Sequence, residues 1–433
     1  MRILLIAGFS DSEIRGHLTF RKDIGLFKWL IRLFHLPARV GQFRDYGPWV
    51  KSMISYFEKR SDIELYVAVP HIRLKDSIEE FKLRGVTYFF FQSEFSSFAR
   101  LVKHYVIWKH LQKSGSFTKK IINRVNPDIV VLSGAENPVT SISILYAREY
   151  PRLCLCQTVY TDPDLFKYTA PDKLKEKVEQ AIFCDLKYFG VFCRKHYELL
   201  NRYTKDKYIF KYNYPPKGTL PEIIAVDKQY DFVNFAATHS LAKGTHDSIK
   251  ALAIVKRSHP NVTLNIVGGC DASLHAELSK LIKDLDLNKN VVFTPFFEKR
   301  NDLFEHIQKS RFAVLPCKVD NTSGTMNQSM SRGIPIVVYK TIGTQAFNAE
   351  KECALIAEMG DIDSLAKHMI TLLDNSDKAD ELRRNGLWYR KNQMDVSQLN
   401  WERMVNSFQL IIDHYNNSTT IPSDRLFDPI RDD

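Results

Sequence analysis

The apolar residues of this chain fall into two successive series of short runs, and each run is followed by a stretch with apolar residues at helical spacing. The first series begins with RILLIAG at 2–8 and the second with DFVNFAAT at 231–238. Short apolar runs that alternate with helices indicate parallel strands joined by helical crossovers. We therefore predict an α/β protein of two Rossmann-like domains, with parallel sheets that face each other across a cleft.

The same pattern predicts the individual elements. The first series continues with strands at 64–70, 86–91, 128–134, 152–158 and 187–192, and with helices over 46–60, 74–83 and 98–126. The second continues with strands at 263–269, 290–296, 312–316, 334–339 and 353–357, and with helices near 245–258 and 274–285. An amphipathic helix with Trp401, Phe408 and Ile411 on its apolar face follows.

The rhythm breaks at NYPPKGTLPE, residues 213–222, where three prolines and a glycine mark a boundary. We expect an N-terminal domain over 1–212 with a basic insertion at 13–40, and a linker over 213–229. A C-terminal domain over 230–395, a helix over 396–416 and a polar tail over 417–433 complete the chain.

The composition of the chain limits the classes of partner that the protein is expected to bind. The chain has 433 residues and a net charge of +11, which favours an anionic partner such as nucleic acid, an acidic membrane or a phosphorylated substrate. The seven cysteines show no metal-ligand spacing, and we interpret them as buried thiols. The opening MRILLIA is too short for a signal peptide, and no run of about 18 apolar residues predicts a membrane span.

One segment predicts a membrane contact. IGLFKWLIRLFH, residues 24–35, is apolar around most of a helical wheel, with Lys28, Arg32 and His35 on a narrow stripe. That is typical of an interfacial helix on anionic lipid, although a helix packed on its own domain with snorkelling basic residues fits too. Aromatic and basic residues also mix in 98–126, but an amphipathic surface helix explains them better than nucleic acid, and no nucleic-acid partner is expected.

The stretch DNTSGTMNQSMSRGIP, residues 320–335, follows one predicted strand and leads into another. A polar loop before a helix N-terminus can hold a diphosphate, so the stretch is a candidate nucleotide-phosphate site, although it could be an ordinary connection. No G-x-G-x-x-G follows either first strand, which argues against a nicotinamide or flavin enzyme.

Five segments of the second half, spread in order over about 150 residues, carry a resemblance to a known family. They are AATHSLAKGTHDSIKALAIVKRSHPNVTLNIVGG, VVFTPFFEKRNDL, RFAVLP, DNTSGTMNQSMSRGIPIVV and LIAEMGDIDSLAKHMITLL. Together they resemble the donor-binding domain of family 4 of the retaining, nucleotide-sugar-dependent glycosyltransferases. The resemblance implies the GT-B architecture, in which the last helix crosses back to the first domain.

The resemblance also implies site residues. Lys243 would neutralise the donor diphosphate and Asp320 would lie beside the transferred sugar, which makes these two the predicted catalytic residues. The family has an Arg where this chain has Thr238 and His239, and paired glutamates where it has Asp320 and Gln328. The predicted donor contacts are Thr238, His239, Gly244, Gly268, Asn321, Thr322, Ser323, Gly324, Thr325 and Gln328.

The first half resembles the family less closely. Gly47 would belong to the glycine-containing loop before the first helix, and Glu136 and Asp162 follow strand ends where an acceptor hydroxyl could be deprotonated. We predict a metal-independent hexosyltransferase without a cofactor, which moves a sugar from a UDP- or GDP-linked donor to a glycan or lipid-linked glycan. Surface polysaccharide synthesis at the cytoplasmic face of a bacterial membrane is the expected setting. A nucleotide-sugar epimerase of the same fold and a non-catalytic GT-B subunit remain alternatives.

Overall fold

The computed structural model describes residues 1–20, 47–71, 74–93, 104–156, 172–191, 194–203, 206–212, 223, 226–319, 324–341, 343–394 and 397–428. These residues form two compact units. The first unit takes its residues from Met1–Asp162, Pro171–Lys217 and Ser397–Asp433, and the second from Gly218–Val396. Each unit is built around its own sheet of mostly parallel strands, so the predicted α/β fold class is confirmed.

The first unit has an eight-stranded sheet in the order β3-β4-β2-β1-β5-β6-β7-β8. The strands are β1 (Arg2–Ala7), β2 (Glu64–His71), β3 (Ile78–Leu83), β4 (Val86–Gln92), β5 (Ile129–Ser133), β6 (Arg152–Leu155), β7 (Tyr188–Val191) and β8 (Tyr208–Lys211). All neighbours pair in parallel except β3 with β4. The central strand β1 is almost entirely buried, as expected for a parallel strand covered on both faces.

Helices cover both faces of this sheet, because its two faces each carry a separate apolar cluster. They are α1 (Ser12–Arg15), α2 (Pro48–Phe57), α3 (His104–Val125), α4 (Pro138–Ser141), α5 (Lys173–Asp185), α6 (Arg194–Asn201) and, from the end of the chain, α13 (Ser397–Asn417). Short 3₁₀ turns at Ile142–Tyr146 and Ser423–Arg425 complete the unit.

The helix predicted over 74–83 is wrong. Residues 78–83 form the antiparallel edge strand β3, in which Phe81 stacks on Tyr88 and Phe90 of β4 with ring centroids 5.2 and 6.0 Å apart. The turn between the strands places Arg84 and Gly85 at φ values of 50° and 84°, which is the backbone twist of a tight hairpin. Cross-strand aromatic packing outweighed the weak helical spacing of this segment.

The second unit has a six-stranded, fully parallel sheet in the order β11-β10-β9-β12-β13-β14. Its strands are β9 (Tyr230–Thr238), β10 (Leu264–Gly269), β11 (Val291–Thr294), β12 (Ser310–Leu315), β13 (Ile336–Tyr339) and β14 (Ala354–Ala357). Its helices are α7 (Thr245–Val255), α8 (Ala272–Asp284), α9 (Arg300–Ile307), α10 (Gly324–Met330), α11 (Ile362–Asp374) and α12 (Ser376–Tyr389). The remaining helical pieces described are 3₁₀ turns at Leu241–Lys243 and Gln345–Asn348 and a π-helical turn at Arg390–Met394.

The last helix, α13, returns to the first unit as predicted. Trp401 is buried against α2, where its ring stacks on Tyr56 with centroids 5.3 Å apart. The Tyr56 hydroxyl and the Arg60 guanidinium both donate to Glu402, at 2.6 and 2.7 Å. Phe408 lies in the same apolar cluster as β1, so the end of the chain completes the core begun by its first residues.

Residues 24–35, the predicted membrane-contacting helix, lie outside the described residues. The helices that the structure does describe include none with the length and apolar character needed to cross a bilayer.

Candidate functional site

The second unit brings most of the predicted donor residues to the carboxyl edge of its sheet. β9 lies at the centre of the sheet between β10 and β12, and it ends at Thr238, which is exposed. The chain then turns through Leu241–Lys243 into the start of α7. Because the carboxyl ends of parallel strands meet at one edge, this turn lies where open α/β sheets bind ligands.

Two glycines allow the backbones at this edge to pack closely. Gly244 has a left-handed φ of 70°, and a Cβ there would lie 2.0 Å from the carbonyl oxygen of Pro316. Gly268, with φ of 135°, approaches β9 so closely that a Cβ would lie 1.8 Å from the carbonyl oxygen of Ala236. Neither position can hold a side chain without moving the neighbouring strand end, so both glycines fix the shape of the edge.

Lys243 is held in this packed turn. It is half-buried, and its Nζ lies 3.8 Å from the Sγ of Cys317, just after β12. The Cys317 thiol donates to the carbonyl of Ala242 at 3.4 Å, and the backbone N–H of Lys318 donates to the same carbonyl at 2.8 Å. These hydrogen bonds therefore hold the turn that carries Lys243 against the end of β12.

A buried charge network that the sequence did not suggest lies under the same turn. Asp247 in the first turn of α7 is 6% exposed, and its Oδ2 pairs with Lys318 Nζ at 2.9 Å and accepts from the Tyr339 hydroxyl at 3.0 Å. The carboxylate also lies at a helix N-terminus, where negative charge is favoured. The edge thus carries two lysines: Lys318 is neutralised by Asp247, and Lys243 lies against a thiol.

His239 takes a different place from the predicted donor contact. Its side chain is buried, its Nε2 donates to the carbonyl of Val267 at 3.0 Å, and its Nδ1 accepts from the Thr245 hydroxyl at 2.9 Å. Burial, and to a lesser degree the charge of Lys243, lowers the pKa of His239 below its ordinary value, so the ring is neutral. With both ring nitrogens used inside the protein, His239 is a positioning residue behind the turn rather than a phosphate ligand.

The predicted sugar-binding loop is only partly described. Asp320, Asn321, Thr322 and Ser323 lie outside the described residues. Gly324 begins α10, and Thr325 accepts at its carbonyl from the Ser329 hydroxyl at 3.0 Å. The side chain of Gln328 is partly exposed one turn along, with its Nε2 3.9 Å from where a Cβ on Gly324 would stand.

The first unit gathers two of its predicted acceptor residues at the carboxyl edge of β1 and β5. Gly47 caps α2 with a left-handed φ of 67°, and a Cβ there would lie 2.9 Å from both the Gly8 carbonyl oxygen and the Cβ of Phe9. Glu136 follows the end of β5, the strand beside β1. Asp162, the third predicted residue, lies outside the described residues.

The Glu136 carboxylate is packed over Gly134, so that a Cβ on that glycine would lie 2.6 Å from both of its oxygens. Its Oε2 is buried, and the described residues supply it with no hydrogen-bond partner. Burial, aided by the charge of the nearby Glu179, raises the pKa of Glu136 to about 7. A carboxyl group poised near neutrality can accept or donate a proton at physiological pH.

The glycines at the two sheet edges were predicted from the sequence. The charged residues that support the edge of the second unit were not. A glycine after a strand is a visible signal, whereas Asp247 and Lys318 are separated by 71 positions and only the fold brings them together. Across the described part of the chain, no group of three or more His, Cys, Asp and Glu side chains is placed to hold a metal ion.

The second unit matches a known protein family. Residues 217–387 match the family described as "Glycosyl transferases group 1". The matched residues span most of the second unit, which forms one α/β domain. The turn with Lys243 and Gly244, the buried Asp247 and helix α10 all belong to this domain. The family 4 subclass stays a prediction.

Two curated relatives share part of the chain. An uncharacterized glycosyltransferase of Haemophilus influenzae is 25% identical over 134 residues, which are 31% of this chain and 36% of the relative. The uncharacterized glycosyltransferase YqgM of Bacillus subtilis is 26% identical over 179 residues, which are 41% of this chain and 47% of the relative. The matches therefore span less than half of either relative.

Solved structures match over almost the whole chain. Sucrose-phosphate synthase from Thermosynechococcus elongatus superposes with a TM-score of 0.66 at 13% identity, covering 95% of this chain and 99% of that one. Alr3699/HepE of Anabaena, solved with UDP and glucose, superposes with a TM-score of 0.59 at 13% identity, covering 94% and 99%. At these identities the likeness shows the fold, and that fold is the predicted GT-B fold.

Proposed function

We propose that this protein is a retaining glycosyltransferase that moves a sugar from a nucleotide-sugar donor to a glycan or lipid-linked glycan acceptor. The observation that carries the proposal is the fixed position of Lys243 at the carboxyl edge of β9, within a glycosyl transferases group 1 domain. The family match and the two glycosyltransferase relatives support sugar transfer. The UDP bound by the structurally similar HepE supports a nucleotide-linked donor.

In this proposal Lys243 acts on the leaving group. Negative charge grows on the nucleoside diphosphate as the glycosidic bond to the donor breaks, so a fixed ammonium stabilises the transition state more than the ground state. Gly244 lets the backbone of the turn approach the diphosphate, and the neutral ring of His239 holds the start of α7 without competing for the phosphate. Asp320, Gln328 and the loop between them would contact the sugar and the ribose.

The first unit would hold the acceptor at the Gly47 and Glu136 edge. Glu136, with its pKa near neutrality, could take the proton of the acceptor hydroxyl or hand it on. We place the reaction in the synthesis of a surface polysaccharide such as a capsule, O-antigen or exopolysaccharide.

The decisive experiment compares wild type with Lys243→Ala in transfer and donor-hydrolysis assays over a panel of UDP- and GDP-sugars. Loss of a charge contact to the leaving group should lower kcat about 100- to 1,000-fold with little change in the folded state. Lys250→Ala is the matched control, because Lys250 is an exposed lysine on the same helix that follows the turn. Lys250→Ala should keep wild-type kcat.

Two outcomes would contradict the proposal. A wild-type protein that binds a nucleotide sugar but turns over none of the panel would be a non-catalytic subunit. A protein that interconverts donor sugars without any acceptor would be an epimerase. If transfer occurs, the anomeric configuration of the product, read by NMR, should match that of the donor.

We also propose a peripheral membrane contact through residues 24–35, on the sequence pattern alone. Wild type should sediment with anionic vesicles, and changing both Lys28 and Arg32 to Glu should release it, since like charge repels the anionic surface. Equal sedimentation of both proteins would remove the segment from the proposal.

A further inference from the structure

Arg332 is a buried cation to which the described part of the chain offers no acidic partner. It follows the end of α10 and keeps 5% of its surface exposed. Its Nη1 has no hydrogen-bond partner among the described residues, and no described carboxylate forms an ion pair with its guanidinium. Buried charges in proteins are normally paired, because the free energy lost on leaving water is not otherwise recovered.

An aromatic ring is what Arg332 does contact. The guanidinium carbon lies 4.0 Å from the centre of the Phe304 ring, in α9. The guanidinium carbon of Arg300, one turn earlier in α9, lies 5.1 Å from the centre of the same ring. A ring face attracts a cation, but it accepts none of the in-plane N–H bonds of the guanidinium.

A third arginine adds to the positive charge. Arg390, the first residue of the π-helical turn, is 5% exposed. Burial first, then the charges of Arg300 and Arg390, lower the pKa of Arg332 to about 10. The guanidinium is still charged at neutral pH, so Arg332 and Arg300 place two like charges against the ring of Phe304.

We propose that Arg300 and Arg332 form a site beside Phe304 for a small oxyanion of the phosphate class. A tetrahedral oxyanion offers several acceptor oxygens, which suit the planar donor fork of arginine and would neutralise the mutual repulsion. Arg300 is exposed whereas Arg332 is buried, so the anion would enter past Arg300. The recessed position of Arg332 suits a free anion better than the flat surface of a lipid headgroup layer.

Arg332, the buried residue of this site, is separate from the turn that carries Lys243. Lys243 follows the carboxyl end of β9, whereas Arg332 and Gly333 lie between the end of α10 and the amino end of β13. In a parallel sheet these two ends are at opposite edges. The inference therefore does not rest on the proposed transferase activity.

The test measures thermal unfolding in phosphate against chloride at equal ionic strength, for wild type and for Arg332→Met. Phosphate at about 50 mM should raise the wild-type Tm by about 4 °C if it binds with a Kd near 1 mM. Arg332→Met should lose that rise, and in phosphate-free buffer its Tm should be equal to or above that of wild type, because an unpaired buried charge is gone. A merely structural arginine would instead destabilise the protein when replaced.

The matched control is Arg311→Met. Arg311 also stacks on a phenylalanine, with its guanidinium carbon 4.9 Å from the Phe312 ring centre, but it pairs with Asp231 at 3.0 Å. Its replacement should leave the phosphate-induced rise unchanged. Should Arg332→Met fail to fold, Arg300→Gln on the exposed side should still weaken the apparent phosphate affinity about tenfold.

Three results would overturn the proposal. The first is a wild-type Tm that phosphate raises no more than chloride does, or a rise that Arg332→Met retains. The second is a loss of UDP affinity in Arg332→Met, which would place the arginines in the nucleotide site. The third is weaker sedimentation of Arg332→Met with phosphatidylglycerol vesicles, which would identify a lipid headgroup as the ligand.

Discussion

The carboxyl edges of the two sheets hold their charged side chains in opposite ways. In the second unit, Lys318 is paired with Asp247 and the neutral His239 holds the turn around Lys243. In the first unit, the Glu136 carboxylate is buried with an unsatisfied oxygen and a pKa of about 7. The second unit therefore keeps a cation fixed and charged, while the first unit keeps a carboxyl group that can change its charge.

The difference teaches what each edge can contribute to chemistry. A fixed, charged ammonium suits the stabilisation of a diphosphate, which stays anionic throughout a transfer. A carboxyl group near its pKa suits a hydroxyl that must lose a proton only once. Four substitutions test this contrast, and Gly244→Ala should lower the free energy of unfolding most.

Gly244→Ala should damage the second unit severely. The new Cβ would lie 2.0 Å from the Pro316 carbonyl oxygen in a left-handed backbone, so the end of β12 must shift. We expect a loss of more than about 3 kcal/mol in the free energy of unfolding, together with weakened nucleotide binding. Gly360→Ala is the control, since Gly360 has φ of 81° with nothing within 4 Å of a Cβ, and should cost only about 1 kcal/mol. Equal losses for both variants would contradict the close packing described here.

Lys318→Met should leave Asp247 as a buried charge with the Tyr339 hydroxyl as its remaining contact among those described above. Removing one member of a buried pair costs about 3 kcal/mol, measured by chemical denaturation. The double variant with Asp247→Asn should recover most of that loss, because the orphaned charge is then gone. A double variant no more stable than Lys318→Met would show that the pair is not coupled.

Glu136→Gln should stabilise the first unit above neutral pH. The folded state holds the proton of Glu136 up to a pKa of about 7, whereas the unfolded chain releases it near 4.5. Stability of the wild type therefore falls as pH rises from about 4.5 to about 7, by about 2 to 3 kcal/mol from this group. Glu136→Gln should flatten that part of the profile, and a variant with the wild-type pH dependence would be evidence against the buried carboxyl. Transfer activity of the variant tests separately whether the carboxyl takes part in the reaction.

His239 should give the second unit the opposite and smaller pH dependence. Its pKa is lowered in the folded state, so the unfolded chain binds a proton first as the pH falls below about 6.5. Stability from this group is present above that pH and declines below it. His239→Gln should remove the decline in calorimetric scans from pH 7 to 5. A decline that persists unchanged would assign it to other groups.

Much of the fold could be predicted from the sequence, because buried parallel strands are continuous apolar runs. The strands at 2–8 and 231–238 were recognisable for that reason, and so was the return of the helix that carries Trp401. The exception was β3, where six residues of mixed polarity took their structure from Phe81 packing on the neighbouring strand. Local spacing cannot report a partner that lies across a hairpin.

The candidate site divides in the same way. The sequence by itself determined the two α/β units, the Lys243 and Gly244 turn and the positions of the strand ends, since glycines and apolar runs act locally. Only the tertiary structure decided that His239 turns inward, that Asp247 meets Lys318, and that Glu136 Oε2 and Arg332 Nη1 are buried with no hydrogen-bond partner among the described residues. Burial and pairing are set by residues distant in the chain, and the pKa of each group follows from them.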